Sequence, residues 1–270
     1  MQMTALFYAM HTAVIDILLM IGYNIEYHIT SYLELFCVPG RDGLMSICIF
    51  GDSISKGVVF DETKQKYTVL KDNFVSLVSA KLNIAVKNYS SFGCTVDKGH
   101  RVMDRKVSDI DTSSYTILEF GGNDCDYDWP KISEDPAVIH PTRVPIEKFR
   151  STYEQMIEET LAHGSTPILM TLPPLNSERF FNWVTKDLDK TRVLHFLHDD
   201  VNTIFRHQAA YNDMIFELAK EYGLTVFDIR NEFMKQKDYS QFLCVDGMHP
   251  NAQGHRLIAG CIENGILGLA

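Results

Sequence analysis

Short apolar runs alternate with longer amphipathic stretches along most of the chain. The runs predict strands and the stretches, with apolar residues at helical spacing, predict helices. The predicted strands are 46–50, 84–89, 115–120, 167–172 and 225–229, and the predicted helices are 64–82, 146–163, 201–222 and 251–266. This alternation is typical of a parallel sheet covered by helices on both faces, so we expect an α/β protein.

Residues that could take part in catalysis follow three of the predicted strands. Ser53 follows the first strand, Gly93 comes shortly after the second, and Asn123 follows the third. In an open parallel sheet, ligands bind outside the carboxyl ends of the strands. We therefore expect a functional site at this edge of the sheet.

Two long connections, 124–145 and 173–200, are richer in aromatic residues than a solvated loop requires. Connections of this length in a compact domain are often functional lids. We expect their aromatic side chains to line a substrate pocket. These side chains are Tyr127, Trp129, Phe180, Phe181 and Trp183.

Ser53, Asp246 and His249 supply the three groups of a serine-centred site, in that chain order. A serine hydroxyl is a weak nucleophile until a base takes its proton, and a carboxylate that fixes the tautomer improves the base. Asp246 stands three residues before His249, so both side chains can leave one turn together. The pattern predicts acyl transfer through a covalent acyl-enzyme.

Four separated blocks resemble the SGNH hydrolases, also called GDSL-type esterases and lipases. The blocks are Gly51-Asp52-Ser53, then Gly93 after Asn88-Tyr89-Ser90-Ser91-Phe92, then Gly121-Gly122-Asn123-Asp124, and Asp246-Gly247-Met248-His249. A single three-residue match is weak, but four in order make a strong signal. The resemblance covers roughly residues 45–268 and leaves 1–44 unaccounted for.

The resemblance implies a three-layer α/β/α sandwich with a five-stranded, flavodoxin-like parallel sheet. It also implies ester hydrolysis without a metal or other cofactor. Ser53 would be the nucleophile, with His249 as its base and Asp246 as the orienting acid. The oxyanion would be held by the backbone N–H groups of Ser53 and Gly93 and by the side-chain amide of Asn123.

The leading interpretation is a serine esterase that hydrolyses small or medium acyl esters. An O-acetylated carbohydrate, a lysophospholipid or a thioester would each suit this chemistry. A non-catalytic ligand-binding module on the same fold is an alternative. A metal-dependent hydrolase is another, because His195 and His198 have the spacing of helical zinc ligands, although no further ligand is recognisable.

Three residues near these blocks also have ordinary structural interpretations. Ser53 is a favourable helix N-cap. Asp52 is expected to hydrogen-bond its own loop. His255 falls within the last predicted helix, where we expect a surface histidine with satisfied hydrogen bonds.

The net charge of -10 and the lack of a basic stripe argue against a nucleic-acid partner. A small-molecule ester is the expected partner, and the sequence says nothing about the oligomeric state. The six cysteines are scattered without a C-x-x-C pair, which is typical of a reducing compartment rather than of a disulfide framework.

Residues 1–44 differ from the rest, with no Lys or Arg before Arg41. The stretch 5–23 is apolar but contains an aspartate, and it lacks the features of a signal peptide. We therefore expect neither secretion nor a stable membrane anchor, and a cytoplasmic location. Met45 opens directly into the first strand, so we expect 1–44 to be a non-native extension and 45–270 to be the hydrolase domain.

Overall fold

Seven strands form two separate sheets in the computed structural model, which describes residues 45–269. The main sheet contains β1 (Ser46–Gly51), β4 (Ala85–Asn88), β5 (Tyr115–Glu119), β6 (Thr166–Met170) and β7 (Thr225–Phe227). A separate hairpin contains β2 (Val58–Asp61) and β3 (Lys66–Val69), which pair antiparallel. The expectation that 1–44 is a non-native extension lies outside the described residues.

The strand order of the main sheet is β4-β1-β5-β6-β7, and all its pairs are parallel. Counted along this sheet alone, the order is 2-1-3-4-5, which is that of flavodoxin-like folds. Central β1 is apolar throughout its middle because it is covered on both faces, as parallel sheets require. The predicted five-stranded, flavodoxin-like parallel sheet is confirmed.

Helices cover both faces of this sheet. They are α1 (Ser53–Lys56), α2 (Phe74–Leu82), α3 (Val96–Met103), α4 (Val107–Ile110), α5 (Trp129–Glu134), α6 (Ile146–Ala162), α7 (Ser177–Val184), α8 (Lys190–Phe196), α9 (Thr203–Tyr222), α10 (Ile229–Met234) and α11 (Ala252–Leu267). One layer contains α3, α6 and α9, and the other contains α2, α10 and α11. The predicted three-layer sandwich is therefore confirmed.

The predicted helix 64–82 is wrong in its first half. Residues Lys66–Val69 form β3, and the helix begins only at Phe74. Asn73 caps it by accepting a hydrogen bond from the N–H of Ser76. Tyr67 stands at helical spacing from the apolar residues of this helix, but it lies in the hairpin. A strong N-cap and a run of β-branched and aromatic residues outweighed that spacing.

Both long connections contain helices rather than continuous loop. The connection 124–145 includes α5, and 173–200 includes α7 and α8. The last strand ends at Phe227 rather than 229, because Asp228 caps α10 by accepting from the N–H of Asn231. Among residues 45–269, no helix combines the length and the apolar character needed to cross a bilayer.

Candidate active site

Ser53 lies at the carboxyl end of β1, in the single helical turn α1. Asp52 caps this turn, since its Oδ1 accepts from the backbone N–H of Ile54 at 2.8 Å. The interpretation of Ser53 as the N-cap is therefore wrong, and the expectation that Asp52 bonds its own loop is confirmed. Gly57 ends the turn with a φ of 80°, a conformation that glycine adopts most readily. The hydroxyl of Ser53 is thus free to meet a partner from elsewhere in the chain.

That partner is His249, which is 196 residues away in the sequence. His249 Nε2 lies 2.9 Å from Ser53 Oγ, and His249 Nδ1 lies 2.6 Å from Asp246 Oδ2. With its proton on Nδ1, the imidazole donates to the carboxylate and accepts from the serine. Burial acts to raise the pKa of Asp246. The hydrogen bond from His249 and the charge of His249 outweigh burial and hold this pKa below its usual value.

The tight turn 246–249 positions both of these side chains. Asp246 Oδ1 accepts from the N–H groups of Met248 and His249 at 3.0 and 3.1 Å. Gly247 has a φ of 75°, and a Cβ there would lie 2.7 Å from the backbone nitrogen of Phe180. The D-x-x-H spacing therefore works through a turn that only glycine fits at its second position.

Gly93 and Asn123 line the same cleft as Ser53 and His249. Gly93 has a φ of 65°, and a Cβ there would meet no atom of residues 45–269 within 4 Å. A positive φ favours glycine at position 93, whereas crowding by the described residues does not require it. Asn123 Nδ2 donates to Asp52 Oδ2 at 2.9 Å, which uses one of its two amide hydrogens and sets the plane of the amide.

Glu119 was not recognised from the sequence, although it is fully buried beneath the serine turn. Its Oε2 accepts from the backbone N–H groups of Asp52 and Ser55 at 3.1 and 3.3 Å. Burial, followed by the charge of Asp52, raises the pKa of Glu119 well above its usual value. Glu119 therefore ties the end of β5 to the turn that carries Ser53. A charged residue in an otherwise apolar strand was the signal in the sequence.

Asp124 connects two of the loops at the site. Its Oδ1 accepts from the N–H of Val96 at 2.8 Å, at the start of α3. Burial is the main reason that the pKa of Asp124 rises to about 7. This bond joins the loop that contains Asn123 to the loop that contains Gly93, so it helps to fix their relative positions.

Aromatic side chains surround the imidazole of His249. The ring of Phe92 is nearly parallel to it, at 9° and 6.1 Å between centroids, although Phe92 is 58% exposed. The ring of Tyr67 lies 5.1 Å away and packs in turn near Phe60 and Trp183. The exposed side of the site is therefore an apolar aromatic rim.

Only some of the predicted pocket aromatics line the cleft. Its cavity volume is about 190 Å³, and Tyr127, Trp129 and Phe180 contribute to its wall. Phe181 and Trp183 do not line it. Phe181 packs in the apolar cluster beneath the cleft, and Trp183 packs edge-on against Phe60 in the aromatic rim.

Two histidine expectations did not hold. His255 is fully buried rather than exposed, and neither ring nitrogen has a hydrogen-bond partner among the described residues. Burial is the main reason that its pKa falls to about 4. His195 and His198 do not share one helix, although their spacing is that of helical zinc ligands: His195 lies in the last turn of α8, and His198 has a positive φ of 56° in the following turn.

Neither His195 nor His198 lines the cleft. Within residues 45–269, the potential metal ligands that cluster are instead His100, Asp104 and Glu159. His100 Nε2 already lies 2.7 Å from Glu159 Oε1, which accounts for their proximity as an ion pair or hydrogen bond.

A flavodoxin-like sheet with serine, histidine and aspartate meeting at its carboxyl edge is an α/β arrangement that suits hydrolysis by a serine nucleophile. The model of the GDSL-like lipase/acylhydrolase family matches residues 49–257, and the chain belongs to this family. The family predicted from the four sequence blocks is therefore confirmed.

Two plant proteins are similar in sequence. The GDSL esterase/lipase CPRD49 of Arabidopsis thaliana is 40% identical over 158 residues, covering 54% of this chain and 52% of that protein. The GDSL esterase/lipase WDL1 of Oryza sativa subsp. japonica is 23% identical over 190 residues, covering 67% and 64%. The chain thus matches between half and two thirds of the length of these relatives.

Solved structures share the fold. A lipase/acylhydrolase from Enterococcus faecalis has a TM-score of 0.59 and 23% identity, over 84% of this chain and 97% of that one. A mutant acetyl-xylooligosaccharide esterase from Geobacillus Stearmophilus has a TM-score of 0.58 and 20% identity, over 82% and 94%. At this level of identity, the likeness concerns the fold alone.

Proposed function

We propose that this protein is a serine esterase that hydrolyses small or medium acyl esters through a covalent acyl-enzyme. The observation that carries the proposal is the hydrogen-bonded chain from Ser53 Oγ to His249 Nε2 at 2.9 Å and from His249 Nδ1 to Asp246 Oδ2 at 2.6 Å. This is the arrangement in which an imidazole can take the serine proton while a carboxylate stabilises the resulting positive charge.

In the first half of the reaction, Ser53 Oγ attacks the ester carbonyl carbon as His249 Nε2 accepts its proton. The carbonyl oxygen becomes an anion that the N–H groups of Ser53, Gly93 and Asn123 stabilise. The carbon–oxygen bond to the alcohol then breaks, and His249 returns the proton to the leaving alcohol. The acyl group remains bonded to Ser53.

In the second half, water attacks the acyl carbon and gives a proton to His249. The bond to Ser53 Oγ breaks, the serine recovers its proton, and the carboxylic acid leaves. Each step needs the imidazole to alternate between base and acid. Asp246 supports this exchange because its carboxylate accepts from His249 Nδ1–H at 2.6 Å and holds the ring in place.

The cleft supports a preference for short acyl groups. The cavity volume of about 190 Å³ is below the roughly 300–1,000 Å³ of pockets for drug-sized ligands, so a long fatty chain would extend beyond it. The aromatic rim of Tyr67, Phe92 and Trp183 offers an apolar surface for the part of the substrate that remains outside the cavity. An O-acetylated carbohydrate is one suitable substrate, and the likeness to the acetyl-xylooligosaccharide esterase is compatible with it. Lysophospholipids and thioesters remain alternatives.

The test is turnover of p-nitrophenyl acetate by the full chain, with and without a chelator. We expect turnover that a chelator leaves unchanged and that falls by about 10³-fold or more in Ser53→Ala. Ser55→Ala is the matched control, since this buried serine is two residues away and its hydroxyl has no partner among the described residues. Full activity in Ser53→Ala, or loss of activity with chelator, would contradict the proposal. A wild-type protein that binds an ester but does not turn it over would indicate a binding module.

A cytoplasmic location is part of the proposal. It is supported by the cysteines of the described residues, which are all free thiols: Cys48, Cys94, Cys125, Cys244 and Cys261. Alkylation of protein isolated from its own cells without a reductant, followed by mass spectrometry, should label every cysteine. A disulfide recovered in that experiment would contradict a reducing location.

A further inference from the structure

Asp246 has a second side-chain donor, which comes from a distant part of the chain. Tyr67 Oη donates to Asp246 Oδ2 at 3.1 Å across 179 residues of sequence. The same oxygen accepts from His249 Nδ1 at 2.6 Å. Burial, followed by the charge of Asp246, raises the pKa of Tyr67 far above its usual value, so the phenol remains a neutral donor.

The hairpin holds Tyr67 in this position. Tyr67 lies on β3 and pairs with Phe60 on β2, and the two rings also meet edge-on at 5.3 Å. On its other sides the Tyr67 ring lies 5.1 Å from the ring of His249 and 5.3 Å from that of Phe92. The hairpin, which is outside the main sheet, thus brings both a hydroxyl and a ring to the site.

We propose that Tyr67 is a positioning residue that acts on His249 through Asp246, an inference that rests on the proposed esterase function. Asp246 Oδ2 divides its accepting capacity between the phenol and the imidazole. The phenol therefore holds the carboxylate in place and also moderates its attraction for a positive imidazolium. Without the hydroxyl, Asp246 Oδ2 would accept from the imidazole alone, and the acid limb of the activity profile would move to higher pH.

Other charged or titratable groups also act on this pair. Asp52 and His255 both interact electrostatically with His249, and Cys244 lies beside Tyr67. Tyr67→Phe leaves all three unchanged and keeps the aromatic ring. A change in pH dependence in this variant therefore reports the loss of the hydroxyl.

The experiment compares kcat/KM for p-nitrophenyl acetate between about pH 5 and 8 in the wild type and in Tyr67→Phe. We expect the acid limb of the profile to move to higher pH by about 0.5–1 unit, with a fall in kcat of several-fold and little change in KM. Tyr222→Phe is the matched control, because Tyr222 Oη donates to another carboxylate, Glu158 Oε1, at 2.9 Å outside the cleft. Superimposable profiles for Tyr67→Phe and wild type, or an equal shift in the control, would overturn the inference.

A second measurement decides the matter if Tyr67→Phe does not fold. Site-specific replacement of Tyr67 by 3,5-difluorotyrosine keeps the shape and makes the phenol a stronger donor. The acid limb should then move to lower pH, and an unchanged limb would overturn the inference. The low-field NMR resonance of His249 Nδ1–H should move in opposite directions in the two variants. Because that resonance needs no turnover, a failed inference about Tyr67 and a failed esterase proposal can be distinguished.

Discussion

The replacement Asp52→Asn tests whether catalysis depends on the orientation of the Asn123 amide, because it should rotate that amide without removing it. Asp52 Oδ1 accepts from the N–H of Ile54, and Oδ2 accepts from Asn123 Nδ2 at 2.9 Å. An asparagine at position 52 would keep its oxygen on Ile54 and would turn its NH₂ group toward the NH₂ of Asn123. Two donors cannot pair, so the Asn123 amide should rotate and present its oxygen to residue 52. The N–H group proposed to stabilise the oxyanion would then leave its position.

The magnitude follows from the donor that is displaced. Loss of one oxyanion donor costs about 10²–10³ in kcat, or about 2.7–4 kcal/mol. Because the rotated amide can still return, Asp52→Asn should lose less than Asn123→Ala, about 10–100-fold in kcat. KM should change little, since the lost interaction forms mainly in the transition state.

The assay is a double-mutant cycle with p-nitrophenyl acetate, measuring kcat and KM for Asp52→Asn, Asn123→Ala and the double variant. If Asp52 acts through Asn123, the double variant should lose no more activity than Asn123→Ala alone. Thermal unfolding of each variant controls for loss of structure. A wild-type kcat in Asp52→Asn, or losses that multiply in the double variant, would refute this reasoning.

Three further changes test other parts of the structure. Glu119→Leu removes the acceptor of two buried N–H groups and should lower the free energy of unfolding in urea by about 1–3 kcal/mol for each, whereas Glu119→Gln should cost less. Since the pKa of His255 is about 4 in the folded protein and near 6.5 in the unfolded chain, the unfolded chain takes up the proton first as the pH falls. Stability should therefore drop by about 3 kcal/mol between pH 6.5 and 4, and His255→Phe should abolish that part of the drop. Ile204 lines the cleft, so Ile204→Ala enlarges the space for the acyl chain. The ratio of kcat/KM for octanoyl over acetyl esters should then rise by about tenfold or more.

Each of these expectations can be contradicted by one result. Equal unfolding free energies for Glu119→Leu and Glu119→Gln would show that the two N–H groups find other acceptors. The same pH dependence of stability in His255→Phe and wild type would show that His255 is not the acid-sensitive group. An unchanged chain-length preference in Ile204→Ala would place the acyl chain outside this part of the cleft.

The main sheet was predictable because its five strands are separate apolar runs, each followed by polar or small residues. The hairpin was not, because Tyr67 fits both a helical spacing and a strand of alternating residues. The choice depends on Asn73, whose cap starts the helix later, and on aromatic contacts to Phe60 and Trp183. Such contacts form only in the folded chain, so a local pattern could not reveal them.

The residues of the candidate site that belong to short sequence motifs were predictable. The spacing of Asp246 and His249 indicated one turn, and the turn exists. Tyr67 and Glu119 belong to no motif, since their roles depend on which residues the fold brings near them. The two aromatics that miss the cleft show the same limit: composition marked the segment 173–200 but not the direction in which Phe181 and Trp183 point.

The central claim is that His249 activates the hydroxyl of Ser53. Reaction with a fluorophosphonate, followed by digestion and peptide mass spectrometry, tests it most directly because the adduct records which atom attacked. The account predicts one adduct, on Ser53, which forms about 10³-fold or more slowly in His249→Ala. An adduct on another residue, or an undiminished rate in His249→Ala, would contradict it.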